Sequence, residues 1–152
     1  MLDLANYLPY LLNRSGSRIA ASFTQAVREH GITLSAWRVL AALNHADGQR
    51  VGQLAEMTSI EVSTLSRLLD QMQARGLIER RRPDDDARTV TAHLTPAGRE
   101  TTLAIIPIAH HYEKVALEGF SAEEAATLRL MLKRLYDNMG RLEEEETAAP
   151  LR

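Results

Sequence analysis

Three features of this 152-residue sequence predict a mainly α-helical fold with one small β-hairpin. Apolar residues recur at intervals of three and four along most of the chain, the spacing that lays a stripe down one face of a helix. The interval changes to two only near residue 90, where Val90, Ala92 and Leu94 alternate with Thr89, Thr91 and His93, as a strand with one buried face requires. Breakers and caps, among them Gly31, Gly48, Gly76 and Pro96, stand where those patterns end. From Val51 to Leu94 two short helical patterns lead into an arginine-flanked hairpin, the order of a winged helix-turn-helix.

Each element has its own signal. Leu8, Leu12, Ile19, Phe23 and Val27, with small Gly16 between them, predict a long amphipathic first helix that His30-Gly31 closes. Ser35 is the expected cap of a second helix burying Val39, Leu40 and Leu43, and Asp47-Gly48 marks the next turn. A third helix covers about Val51 to Met57 and a fourth about Glu61 to Arg75, stopped by Gly76. Leu77 to Arg82 can pair with the alternating strand across the loop from Pro83 to Arg88. Thr95 caps and Pro96 opens a fifth helix running through Leu103, Ile106, Tyr112 and Val115, with a kink expected at Pro107. Ser121-Ala-Glu-Glu124 reads as a capping box for a sixth helix carrying Leu128, Met131, Leu132, Leu135, Met139 and Leu142. Residues 143–152 read as an acidic flexible tail.

The expected division is a winged unit at residues 34–95 and an all-helical lobe from residues 1–30 and 96–142. The first, fifth and sixth helices are too apolar along one face to stand alone, and a second copy of the chain is the simplest cover, so the lobe is expected to form a homodimer.

Composition narrows the function. A net charge of -2 is not that of a generally basic nucleic-acid coat, so any anionic partner must meet a local surface. From Thr64 to Arg82 five arginines face only Asp70 and Glu79, whereas from Glu118 onward acids outnumber bases. The absence of cysteine excludes thiol catalysis, disulfides and cysteine-ligated zinc. No leader pattern opens the chain and no apolar run approaches the roughly 20 residues that span a bilayer, so a cytoplasmic protein without membrane contact is expected. No glycine-rich phosphate loop, nucleophile elbow or helical metal motif appears, which argues against an enzyme and for no cofactor. His110 and His111 point about 100° apart on a helix and cannot share a ligand face, so no metal site is expected.

On a helical wheel the fourth helix gathers Val62, Leu65, Leu69 and Met72 inward. Ser63, Arg67, Asp70, Gln71 and Ala74 collect opposite, with Thr64 at the edge. Short hydroxyls at the helix start let the backbone approach phosphate; Arg67 suits a guanine edge and Gln71 an adenine. Arg75 is expected to add a sequence-independent phosphate contact, and of Arg80, Arg81 and Arg82, which alternate faces, Arg82 is counted with the DNA-facing set. Arg88 at the hairpin tip suits a narrow minor groove, with Asp86 expected to pair with it and fix its direction while Asp84 and Asp85 serve the turn. The competing reading is a winged-helix protein-interaction module without specific DNA binding.

The run LAEMTSIEVSTLSRLLDQMQARGLIERR, followed by DDDAR, TVTAHLT and PAGRE, resembles the multiple-antibiotic-resistance regulator (MarR) family of bacterial transcription factors. The resemblance extends over nearly the whole chain, including LSAWRVLAAL in the second helix. It implies a dimer on a pseudo-palindromic double-stranded operator, repression as the commoner sign, and contacts from Ser63, Thr64, Ser66 and Arg67 with Asp86 and Arg88 in the wing. Arg50 and Glu61 depart from the Ser or Thr caps commoner at those helix starts. The resemblance also implies release by a small anionic aromatic or its thioester, held in a cleft between lobe and winged unit. Tyr7, Tyr10, Asn13, Arg14, Ser17, Trp37, Arg38, His110, His111 and Tyr112 are the candidate walls, with Arg14 or Arg38 to pair a carboxylate.

Overall fold

The computed structural model describes residues 2–83, 86 and 88–148, the side chains of Glu146 and Ala148 excepted. Its elements are α1 (Leu8–Arg28), α2 (Leu34–His45), β1 (Gln49–Arg50), α3 (Val51–Thr58), α4 (Val62–Ala74), β2 (Ile78–Arg81), β3 (Thr91–Leu94), α5 (Pro96–Ala116) and α6 (Ala122–Ala148). They divide into two units, residues 1–112 and 113–152, with α5 running across the division.

In the first unit the turns follow local chemistry. Gly31, at φ +68°, ends the stretch after α1 in the left-handed region where a side chain would be strained. The chain is extended again by Thr33, whose hydroxyl accepts the Ala36 amide at 3.1 Å. Thr33, not Ser35, is therefore the cap of α2; Ser35 already lies inside the first turn, exposed. Ser59, at φ 54°, makes the left-handed stop between α3 and α4, and Gln53 closes the start of α3 by accepting the Arg50 amide at 2.9 Å.

The sheet has three strands rather than two, in the order β1-β3-β2, all antiparallel. Ile78 faces Leu94 and Arg81 faces Thr91, while Gln49 and Arg50 pair with Ala92 and Thr91 on the other edge. Two residues running straight into a helix carry no alternation to read, which is why β1 was not expected. Val90, expected within the strand, lies just before it. The Gln49 side chain is buried and donates to the carbonyls of Ala42 at 2.9 Å and Ala46 at 2.6 Å, satisfying the open end of α2.

Phe23, Val27, Ile32, Val39, Leu40, Leu43, Leu54, Leu65, Leu69, Met72, Ile78, Ala92 and Ile105 form one continuous core. Phe23 meets Trp37 and Tyr112 edge-on, at ring separations of 5.8 and 5.4 Å. One expectation fails at its margin. Val62 is 52% exposed because the first residue of α4 lies beyond the core, whose α4 contacts begin at Leu65. On α5 the face turned to this core is Thr102, Ile105 and Tyr112, and Leu103 is exposed.

The start of α5 explains why Thr95 and Gly98 stand three residues apart after Leu94. The Thr95 hydroxyl donates to Gly76 at 2.6 Å and accepts the Gly98 amide at 3.0 Å, while the Thr95 amide donates to Leu77 at 3.2 Å. These bonds press the first turn of α5 onto the entry to β2. A Cβ on Gly98 would lie 1.9 Å from the Leu77 carbonyl oxygen, so no larger residue fits. Helix α5 continues unbroken past Pro107.

In the second unit Ser121 and Glu124 make the expected reciprocal box at 3.0 and 2.8 Å. Arg129 bonds Glu113 at 2.7 Å. Helix α6 leaves Leu128, Leu130, Met131, Leu132, Tyr136, Met139 and Leu142 exposed, and it extends to Ala148. The acidic residues from 143 are thus part of the helix, not a separate tail; residues 149–152 lie outside the described set. No helix among the described residues is long and apolar enough to cross a membrane.

Candidate nucleic-acid interface

The first turn of α4 is organised by Glu61. Its carboxylate accepts the Ser63 amide at 3.1 Å, the Thr64 amide at 3.2 Å, the Thr64 hydroxyl at 3.3 Å and the Ser63 hydroxyl. The Ser63 hydroxyl, then the Ser63 and Thr64 amides, lower its pKa from 4.5 to about 2. The departure from Ser or Thr at this position therefore keeps a cap but makes it charged.

Beyond that turn, Ser63, Thr64, Arg67 and Gln71 are all exposed, and the Arg67 Nε lies 3.5 Å from the Ser63 carbonyl. Ser66 is half-buried, and its carbonyl accepts from Arg80 of β2 at 3.0 Å. Arg80 also pairs with Asp70 at 2.9 Å. One guanidinium thus ties the hairpin to the middle of α4, a long-range contact that strand alternation does not reveal. Its Nε is buried without a partner among the described residues.

Arg75 takes a different place from the one expected. Its guanidinium donates to the Gly31 carbonyl at 2.8 Å, bracing the turn between α1 and α2, about 18 Å along the helix axis from Ser63. Arg81 pairs with Glu79, whereas Arg82 and Arg88 are exposed.

In the wing the Asp86 carboxylate accepts the Arg88 backbone amide at 3.1 Å and the Thr89 hydroxyl. Those two bonds, the hydroxyl first, hold its pKa below 3.8, and the charge of Arg50 helps. Asp86 therefore acts on the backbone at Arg88 and not through the guanidinium pairing expected from sequence. Asp84 and Asp85 lie outside the described residues.

Asp47 does more than make the turn that its Asp-Gly pair signals. Its carboxylate accepts the Leu94 amide at 2.9 Å and lies 3.8 Å from both His93 and Arg99, joining the α2–β1 turn to β3 and α5. An Asp-Gly pair reads as a turn, which hides this second role.

The candidate effector residues fall in separate places. Trp37 and Arg38 line a cleft of about 520 Å³ with His45, Met57 and Ser59. Arg14 and Ser17 line another of about 370 Å³ along α1, where the Arg14 guanidinium sits 5.4 Å from the Tyr10 ring centre. His110 and His111 line neither; the His111 ring is 6.0 Å from that of Tyr112. Among the described residues no cluster of three His or acidic side chains is placed to hold a metal.

Three comparisons bear on this geometry. A MarR family model matches residues 30–89. The transcriptional activatory protein BadR of Rhodopseudomonas palustris is 33% identical over 97% of this chain and 89% of its own. The crystal structure of a MarR family transcriptional regulator from Silicibacter pomeroyi is 32% identical and superposes with a TM-score of 0.81, covering 90% of this chain and 92% of that one.

The chain belongs to the MarR family.

It is accordingly a transcription regulator and not an enzyme. The transcriptional repressor CouR, solved bound to a 23-mer DNA duplex, is 26% identical with a TM-score of 0.78, covering 90% of this chain and 99% of its own. In MarR terms α3 and α4 are the helix-turn-helix and β2–β3 the wing, the parts that Arg80 joins.

Proposed function

We propose that this MarR family member is a cytoplasmic homodimer whose two winged units read the half-sites of a pseudo-palindromic operator. Arg67 and Gln71 address base edges, the start of α4 that carries Ser63, Thr64 and Ser66 enters the same groove, and Arg82 and Arg88 of the wing engage the flanking groove. The observation that carries this reading is the exposed polar face of α4, fastened by Arg80 to the arginine-bearing hairpin. A helix and wing held at one spacing can meet two adjacent grooves without an ordering cost on binding.

Dimerisation is supported in each unit separately: Leu8, Leu11 and Ile19 stand exposed on α1, and Leu130, Met131 and Tyr136 on α6, apolar side chains that a second copy would cover. Release is assigned to a small anionic aromatic or its aryl thioester, for which Arg38 beside Trp37 is the better-placed pair, since both line one cleft. Repression is the proposed sign; BadR, an activatory protein, shows that a close relative has the opposite one.

Titration of the DNA upstream of its own gene, at several salt concentrations, tests the reading. A specific dimer gives a steep salt slope and at least a thousandfold preference, roughly, over random duplex. Equal weak binding to both would leave a protein-interaction module. A thermal-shift series with benzoate, hydroxylated benzoates and their thioesters tests the effector, a dead response in Arg38→Ala being the expected control.

A further inference from the structure

The start of α4 carries a charge that phosphate binding does not call for. The two amides and two hydroxyls that would receive a DNA phosphate there are already bonded to Glu61. A phosphate brought to the same place meets a carboxylate fixed by four hydrogen bonds and is repelled.

A base edge meets something else. A carboxylate offers about four lone-pair directions and no donor. Here Oε2 accepts from Ser63 Oγ and from the amide and hydroxyl of Thr64, while Oε1 accepts only the Ser63 amide. Glu61 is exposed, so an acceptor remains available, pre-set in direction at no further entropic cost. In the major groove the amino donors are those of cytosine and adenine. Adenine sets its N7 acceptor beside that amino group, which a side chain with no donor cannot satisfy. Guanine and thymine offer this position only acceptors or a methyl group. Cytosine is the complement.

We propose that Glu61 is a specificity-determining residue, accepting a hydrogen bond from the N4 amino group of one cytosine in each half-site and rejecting registers that bring phosphate there. This rests on the reading of α4 as the helix that enters the groove. Ser63 and Thr64 then serve mainly to hold Glu61, and direct backbone contact passes to other groups.

In vitro selection from a random duplex library, run in parallel with the natural chain, Glu61→Gln and Arg67→Ala, tests this. Glu61→Gln keeps the shape and a capping oxygen but brings a donor and loses the charge. It is expected to relax one C·G pair in each half-site, with about a tenfold loss of discrimination there, and to bind random duplex about tenfold more tightly at low salt. Glu61→Asp, which retains the charge, is expected to keep the cytosine preference. Thermal melts of each variant separate altered reading from altered folding: a variant that melts early yet selects the same consensus overturns the proposal. An unchanged consensus and unchanged random-duplex affinity in Glu61→Gln overturn it too, provided Arg67→Ala still loses the operator. If Arg67→Ala binds like the natural chain, α4 is not the reader and the underlying assignment falls first.

Discussion

Replacing Arg80 by Met removes the guanidinium that holds the hairpin to α4 while keeping most of the apolar stem. Two interactions go: the bond to the Ser66 carbonyl at 3.0 Å and the pair with Asp70 at 2.9 Å. The Arg80 side chain is 27% exposed and Asp70 68%, so the ion pair is largely solvated and contributes under about 1 kcal/mol. The charged donor on a half-buried carbonyl contributes more, about 1.5 kcal/mol. Relief of the buried, unpartnered Nε offsets part of this. The expected net loss is therefore about 2 kcal/mol at most, a fall in Tm of roughly 4–8 °C for a chain of this length. Urea unfolding at one fixed protein concentration measures it, since a dimer's stability moves with concentration. Asp70→Asn should lose less than half as much, and operator affinity should fall further in Arg80→Met than stability alone explains, because helix and wing no longer share one position. Stability within 0.5 kcal/mol of the natural chain, roughly, together with unchanged DNA binding, would refute the tether.

Gly98→Ala places a methyl 1.9 Å from the Leu77 carbonyl and must displace backbone; loss of soluble protein, or destabilisation of about 3 kcal/mol, is expected by calorimetry. Asp86→Ala removes a negative charge from the wing yet is expected to weaken operator binding, because the Arg88 amide and Thr89 hydroxyl lose their acceptor; tighter binding in a filter or fluorescence titration would contradict that. Glu61 and Asp86 both have depressed pKa values, so the stability they lend is complete above the ordinary carboxyl range and is lost as pH falls through it, for Glu61 between 4.5 and about 2. Urea midpoints followed down that interval should decline less steeply in Glu61→Gln than in the natural chain.

Local chemistry accounts for what was legible in the chain. The helices followed from periodicity, their ends from Gly31, Gly76, Thr95 and the Ser121–Glu124 box, all of which act within a few residues of themselves. The exposed row Ser63, Arg67 and Gln71 followed from the wheel for the same reason. Misreadings arose where the deciding partner is distant or the signal too short. Thr33 and Ser35 are both capping residue types, and only the extended backbone after Gly31 selects Thr33. Val62 fits the apolar stripe of α4, but no core reaches the helix's first residue.

The sequence by itself determined the six helices, the hairpin and membership of a family of winged-helix regulators, because periodicity, caps and a long specific motif are properties of neighbouring residues. Tertiary structure alone decided the partners that several arginines and acids find within the fold. Arg75 braces the turn at Gly31, Arg80 fastens the wing, and Asp47 joins three elements. A long charged side chain can reach several partners, and only the folded backbone determines which carbonyl or carboxylate lies within 3 Å of it, roughly.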